Sequence, residues 1–320
     1  MKSRILAAAM AAAALAACGG DASNGAGGAD GAVTGVVEVD GSSTVYPIPE
    51  AVAEEYMLGN EGAVRVTVGI SGTGGGFKRF CAGEIDINDA SRAITQSEVD
   101  ACGAAGVEPL EFAVAYDGLS VVVNPENDWA QCLTVEELRR IWEPGSTIDN
   151  WSQVRSGFPD KDLKLYGPGT DSGTFDYFTE AIVGEEDASR SDYTASEDDN
   201  VLVQGVAGDR GALGYFGYAY YEENAERMRV LGVDNGSGCV TPAPETVNSG
   251  EYAPLSRPVF IYVAASALER PAVEDFVRFY MENAPALVRE VGYIALPGPM
   301  YEENLNRLVG GAVAPAAGPE

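Results

Sequence analysis

The chain has 320 residues, 46% of them hydrophobic, with 20 Lys and Arg against 49 Asp and Glu, a formal charge of −29 and no histidine. That length suits one large or two medium domains with a sizeable core, and the charge argues against nucleic acid, whose phosphates need Lys and Arg, and against anionic lipid heads. The missing histidine excludes Ser-His-Asp and Cys-His catalysis, His-ligated zinc and imidazole proton transfer.

In chain order, Met1-Lys2-Ser3-Arg4 is basic and Ile5 to Ala17 is apolar and alanine-rich, the pattern of a signal peptide over residues 1–17, too short for a membrane span. The stretch Leu15-Ala16-Ala17-Cys18-Gly19 resembles a lipobox, so Cys18 is expected to be acylated and to open the mature chain. Residues 18–35, rich in Gly, Ala, Ser and Asp, read as a flexible tether. Val36 to Val39 is a predicted strand and Pro47 to Leu58 an amphipathic helix opened by proline. Val64 to Ile70 is a strand, followed by glycine-rich Ser71 to Gly76 and a helix through Phe80. Leu110 to Val123 and Pro258 to Ala265 read as long strands that pass between two lobes. Leu163 to Tyr166 is a strand that hands over at Gly167–Ser172 to a helix from Gly173 to Ile182. Strand, polar turn and helix in repetition imply an α/β fold with mainly parallel sheets. Lobe one is expected at 36–115 plus 258–310, lobe two at 116–257, and a loose tail at 311–320.

Removing Cys18 leaves Cys81, Cys102, Cys132 and Cys239. An even number in an exported chain suggests two disulfides, with three connectivities open; a local Cys81–Cys102 bridge would leave Cys132 with Cys239 across a long loop. Trp129, Trp142 and Trp151 read as packing residues. Tyr215, Phe216, Tyr218, Tyr220 and Tyr221 read as a cluster against a sheet. The acidic runs at Glu185–Asp187 and Glu197–Asp199 read as solvated faces. No metal-ligand spacing, calcium loop or cofactor motif is present.

The chemistry concentrates in three polar turns where a strand hands over to a helix: Asp40-Gly-Ser-Ser-Thr44, Ser71-Gly-Thr-Gly-Gly-Gly76 and Gly167-Pro-Gly-Thr-Asp-Ser-Gly-Thr174. A helix start leaves amide N–H groups unpaired at the positive end of its dipole, glycine admits close approach, and Ser and Thr add hydroxyl donors. Such turns build an anion site with little formal positive charge. Taken singly, each turn is more simply an N-cap; three of them in equivalent positions point to a ligand site at the carboxyl ends of strands. Phe77 stands where a dinucleotide fingerprint needs glycine, and no P-loop lysine motif exists. The Ser172 loop, without a histidine base, is no nucleophile.

These segments, together with Phe77-Lys-Arg-Phe-Cys-Ala-Gly-Glu-Ile-Asp86, Asn88-Asp-Ala-Ser-Arg92, Gly211-Ala-Leu-Gly-Tyr-Phe-Gly-Tyr-Ala-Tyr-Tyr221 and Pro254-Leu-Ser-Arg-Pro-Val-Phe-Ile-Tyr262, resemble the PstS family of phosphate-binding proteins over roughly residues 36–300. The resemblance implies a two-lobe type II periplasmic-binding-protein fold with hinge strands, closing on one phosphate and delivering it to the permease subunits of an ABC transporter. It implies phosphate contacts from Ser43 and Thr44, from Ser71 or Thr73, and from Ser172, Gly173 and Thr174. Family members carry an arginine near the place of Pro168 and an aspartate at the place of Arg92, so Arg92 is expected to supply the guanidinium from the other turn. A carboxylate in such sites accepts the proton of hydrogen phosphate and so rejects sulfate; Asp89, Asp117 and Asp171 are the candidates. The expectation is an exported, lipid-anchored, monomeric receptor in the cell envelope, with neither enzymatic activity nor cofactor. A receptor for sulfate, molybdate or tungstate, and more remotely a phosphate-ester hydrolase, are the alternatives.

Overall fold

The computed structural model describes residues 33–170, 172–196 and 198–310, with side chains to 308. The signal segment 1–17, Cys18, most of the tether, Asp171, Glu197 and the tail 311–320 lie outside the described residues.

Three strand–helix units open the fold: β1 (Gly35–Gly41), α1 (Pro47–Gly59), β2 (Val64–Ile70), α2 (Thr73–Cys81), β3 (Ile87–Ala90) and α3 (Gln96–Ala105). The long β4 (Pro109–Val123) leads to β5 (Cys132–Thr134), α4 (Val135–Trp142) and α5 (Trp151–Val154). Then come β6 (Lys164–Gly167), α6 (Gly173–Phe178), β7 (Thr194–Ala195), α7 (Asp199–Gly208), β8 (Ala212–Gly217) and α8 (Tyr218–Glu223). Short strands β9 (Arg229–Val230), β10 (Gly232–Asp234) and β11 (Cys239–Val240) and helix α9 (Pro244–Asn248) precede β12 (Ser256–Ala264). Helix α10 (Pro271–Glu290), β13 (Ile294–Ala295) and α11 (Gly298–Gly310) close the chain.

The main sheet runs β2-β1-β3-β12-β4-β8-β6-β7. Its two flanks are parallel, β1 with β2 and β3 on one side and β6 with β7 and β8 on the other, whereas β12 and β4 in the middle pair antiparallel. The expected parallel sheets are therefore present but joined through an antiparallel pair. Along β4, Leu110 to Ala115 belong to one hydrophobic core and Leu119 to Val123 to others. Leu255, just before β12, packs in the second core, and Val259 to Ala264 along β12 pack in the first. Both strands thus change cores over the same three rungs, where Ser256 faces Gly118, Arg257 faces Asp117 and Pro258 faces Tyr116. That crossing places one cation and one anion side by side between two apolar masses.

The helix expected over 173–182 is broken: α6 ends at Phe178 and a π turn follows over Thr179–Val183. Thr179 Oγ1 donates back to the carbonyls of Phe175 (2.9 Å) and Asp176 (3.0 Å), a side-chain competition that bends helices. Trp142 and Trp151 are buried in the second core, with Trp129 packed edge-on to Trp151. Tyr215, Phe216 and Tyr218 are buried as expected, but Tyr220 is exposed, because two residues of helix turn it to the opposite face from Tyr218. A small sheet, β11-β10-β5, was not legible as strands. Disulfides join Cys81 to Cys102 and Cys132 to Cys239; the second links β5 to β11 at the two edges of that small sheet. No described helix is long and apolar enough to cross a membrane.

Candidate functional site

The three polar turns follow β1, β2 and β6, each at the carboxyl end of a parallel strand, where open α/β sheets bind ligands. After β1, Ser42 N donates to Asp89 O (3.0 Å), and Pro47 opens α1 after the Ser42–Tyr46 turn. After β2, Gly72 takes φ 73°, a left-handed conformation that glycine adopts without strain, and so delivers Thr73 to the first turn of α2. Thr73 Oγ1 accepts from Ser91 N (3.2 Å), tying this turn to the end of β3. After β6, Ser172 Oγ caps α6 by accepting from Thr174 N (3.2 Å).

The first and third turns touch. Ser43 Oγ donates to Asp176 Oδ2 (3.1 Å), and Thr44 Oγ1 donates to the Gly173 carbonyl (3.4 Å). A Cβ on Gly173 would sit 2.6 Å from Thr44 Cα, so only glycine lets these two backbones approach. Tyr293 donates to the Thr44 carbonyl and pins the turn from behind. Two cavities meet at Ser43 and Thr44. One, of about 220 Å³, is lined by Thr73, Ser91, Arg92, Asp176, Glu180 and Arg257 among others. The other, of about 190 Å³, is lined by Asp117, Ser172, Gly173, Thr174 and Tyr293. A larger cavity of about 600 Å³ between α8, α9 and the start of α11 holds none of the three turns.

Arg257 is the cation at the centre of this arrangement, and sequence reasoning missed it. Its guanidinium lies 3.6 Å from the ring centroid of Tyr177, 3.6 Å (Nε) from Asp117 and 3.2 Å (Nη1) from Glu180, and Nη2 donates to Thr44 Oγ1 at 3.5 Å. Its side chain is only 15% exposed. The available signal was an arginine sitting just before the apolar run of a strand expected to cross between lobes. Arg92, the arginine chosen from sequence, stands at the rim of the first cavity with 40% of its side chain exposed. Both of its Nη atoms donate to the Glu98 carboxylate at 2.9 Å. Burial pushes the Glu98 carboxyl up, but the hydrogen bonds from Arg92 and from Thr95 outweigh it and hold the group below its usual range. Arg92 thus lines the first cavity with its guanidinium fork closed on a carboxylate.

Among the other expected residues, Ser43, Thr44, Thr73, Ser172, Gly173 and Thr174 line one or both cavities, and Ser71 lines neither; Ser71 Cβ and Oγ lie back against Gly75. Asp117 lines the second cavity; burial pushes its carboxyl up and Arg257 opposes that shift. Asp89 is fully buried at the end of β3, lines neither cavity, and both of its carboxylate oxygens lack a hydrogen-bond partner. Burial pushes its carboxyl up to about 8, and it packs beneath the first turn, where Ser42 N donates to its backbone carbonyl. Asp176, absent from the sequence reading, lines the first cavity, and burial pushes its carboxyl up to about 6. No group of three or more Cys, Asp or Glu able to hold a metal occurs among the described residues. The arrangement offers a small anion hydroxyls, backbone amides and one buried guanidinium.

A periplasmic-binding-protein (PBP) superfamily domain model matches residues 24–284. Protein SphX of Synechocystis sp. is 54% identical over 275 residues, covering 85% of this chain and 81% of that protein. The phosphate-binding protein PstS of Staphylococcus saprophyticus is 36% identical over 296 residues, covering 92% of this chain and 89% of that protein. The crystal structure of a possible phosphate-binding protein from Planctomyces limnophilus superposes with a TM-score of 0.83 at 50% identity, covering 88% of this chain and 99% of that one. With the two-core α/β architecture, the crossing strands and the hydroxyl-lined site between them, these likenesses make the chain a member of the SphX/PstS phosphate-binding protein family within the PBP superfamily.

Proposed function

We propose that this protein binds inorganic phosphate outside the cytoplasmic membrane and delivers it to the permease subunits of an ABC transporter. The observation that carries the reading is the convergence of Ser43 and Thr44, Thr73, and Ser172 to Thr174 on two adjoining cavities beside the Arg257–Asp117 crossing. A tetrahedral oxyanion there would draw donors from all three turns and charge from Arg257, which takes the place of the arginine missing near Pro168. Lobe one, 36–115 with 258–310, and lobe two, 116–257, would hinge about the β4 and β12 crossing and close on the ligand. Cleavage after Ala17 and acylation of Cys18 would tether a monomer to the envelope. Relatives are named as binding proteins, and a chain without histidine lacks the usual base for ester hydrolysis.

The test is calorimetric titration of the anion-stripped protein with phosphate, arsenate and sulfate. One-to-one binding of phosphate and arsenate with no sulfate heat supports the reading. Sulfate binding as tight as phosphate would make the protein a general oxyanion receptor, and silence with all three from folded protein would overturn both.

A further inference from the structure

The first cavity is walled by carboxylates as well as by donors. Arg92 and Arg257 face it, but so do Asp176, Glu180 and Glu186. Each arginine already has carboxylate partners: Glu98 for Arg92, and Asp117 with Glu180 for Arg257. Glu180 and Glu186 are exposed and Glu180 is paired, so water and Arg257 screen them. Asp176 differs. It is partly buried on the first turn of α6, and no ion pair to it occurs among the described residues. Its Oδ2 accepts from Ser43 Oγ at 3.1 Å, inside the turn that faces the ligand.

The surroundings of Asp176 deepen this excess of negative charge. Glu186 and Asp187 act on its carboxyl from the loop after the π turn. That loop is held in place: Asp187 N donates to Thr179 Oγ1 at 2.9 Å, and Asp187 sits at φ 66°, uncommon for a residue other than glycine. From β8 the buried Tyr215 lies within the field of the same carboxyl. From β12 comes Arg257, committed to Asp117 and Glu180. A dianion placed here would face an ionised Asp176 with no cation of its own, and like charges that close cannot both stay ionised cheaply.

We propose that Asp176 takes up one proton when phosphate binds, so that the site captures the hydrogen phosphate dianion together with a proton from solvent. This rests on the phosphate reading above. The proton goes onto a carboxylate oxygen of Asp176, whose O–H then donates to a phosphate oxygen, and Ser43, released from Asp176, turns its own hydrogen to the ligand. No bond to phosphorus forms or breaks. Burial already lifts Asp176 to about 6 without ligand, which shortens the step the dianion has to complete. An ionised carboxylate that accepted the ligand's proton would bind the same dianion with no proton exchange, so the two arrangements differ in a countable quantity.

The experiment uses the full chain, stripped of anion, and inorganic phosphate as the probe. Calorimetry is run in two phosphate-free buffers of different ionisation enthalpy at about pH 8.5, above the second ionisation of phosphate. The expected result is uptake of about one proton per phosphate, with Kd rising about tenfold per pH unit on the alkaline side. In Asp176→Asn the uptake should fall to about zero and the pH slope should flatten. Wild-type protein should also gain a protonated-carboxyl infrared band on adding phosphate, a readout that needs no variant. Phosphate binding with zero proton uptake, no such band, or uptake unchanged in Asp176→Asn would each overturn the proposal while leaving the phosphate reading intact. No phosphate binding at all would overturn both.

Discussion

Replacing Arg257 by alanine separates the two arginines that could carry the site. Arg257 is mostly buried, lies 3.6 Å above Tyr177, and reaches Asp117, Glu180 and Thr44. Charge-assisted hydrogen bonds to a bound anion contribute about 1.5–3 kcal/mol each, and the desolvated stack on Tyr177 preorganises the guanidinium. Losing roughly 3 kcal/mol of binding weakens phosphate on the order of a hundredfold, since each 1.4 kcal/mol is a factor of ten. Stability should fall as well, because Asp117 would be left buried without its cation. That loss is capped, since Asp117, already pushed up by burial, can protonate instead of remaining charged. Arg257→Lys keeps the charge but not the planar stack, and should recover only part of the affinity. Arg92→Ala serves as the contrast. Its guanidinium is forked onto Glu98 and 40% exposed, so its removal should weaken phosphate by less than about tenfold. The assay is calorimetric titration of the three variants beside thermal unfolding. Unchanged affinity in Arg257→Ala, with binding abolished in Arg92→Ala, would refute the reasoning and return the central role to Arg92.

Three further expectations follow from single contacts. Gly173→Ala drives a methyl to 2.6 Å from Thr44 Cα, so it should weaken phosphate binding and cost about 1–3 kcal/mol of stability; wild-type affinity and melting would show that the two turns move apart freely. Removing the Cys132–Cys239 bridge, whose partners are 107 residues apart, should cost about 2–4 kcal/mol, checked by denaturant unfolding of Cys132→Ser/Cys239→Ser; unchanged stability would count against any contribution from the bridge. Asp89 is lifted from its ordinary range to about 8, so its neutral form favours the folded state. Its contribution is full below the unfolded carboxyl range near 4 and is lost as pH rises towards 8, by at most about 1.4 kcal/mol per unit. Asp89→Asn should flatten stability against pH over that window relative to wild type, and parallel curves would show that Asp89 is ionised in the fold.

The strands and helices around the site were readable because their causes are local. Proline at Pro47, the glycine run after Ile70 and the alternation of apolar residues act within a turn or two of chain, so β1, α1, β2, α2, β4, β6 and β12 appear close to where their residues place them. The three hydroxyl turns were legible for the same reason: each is a local cluster of glycine, Ser and Thr at a strand-to-helix junction, and three in equivalent positions stand out where one alone reads as an N-cap. For Arg92 the structure adds a partner that a single turn does not announce: the nearby Thr95-x-x-Glu98 pattern, a capping box that closes on α3, also gives Glu98 to Arg92. Arg257 and Asp176 left no comparable local mark. Arg257 becomes a site residue only through the β4–β12 register that sets it opposite Asp117, more than a hundred residues away. Asp176 becomes one only because Gly173 lets α6 close against Ser43. Local propensity and turn chemistry determine which segments become strands, helices and donor-rich turns, since those energies depend on neighbours along the chain. Which cation and which carboxylate meet between the cores depends on pairing register and close packing across long loops, and those contacts exist only once the whole fold has formed.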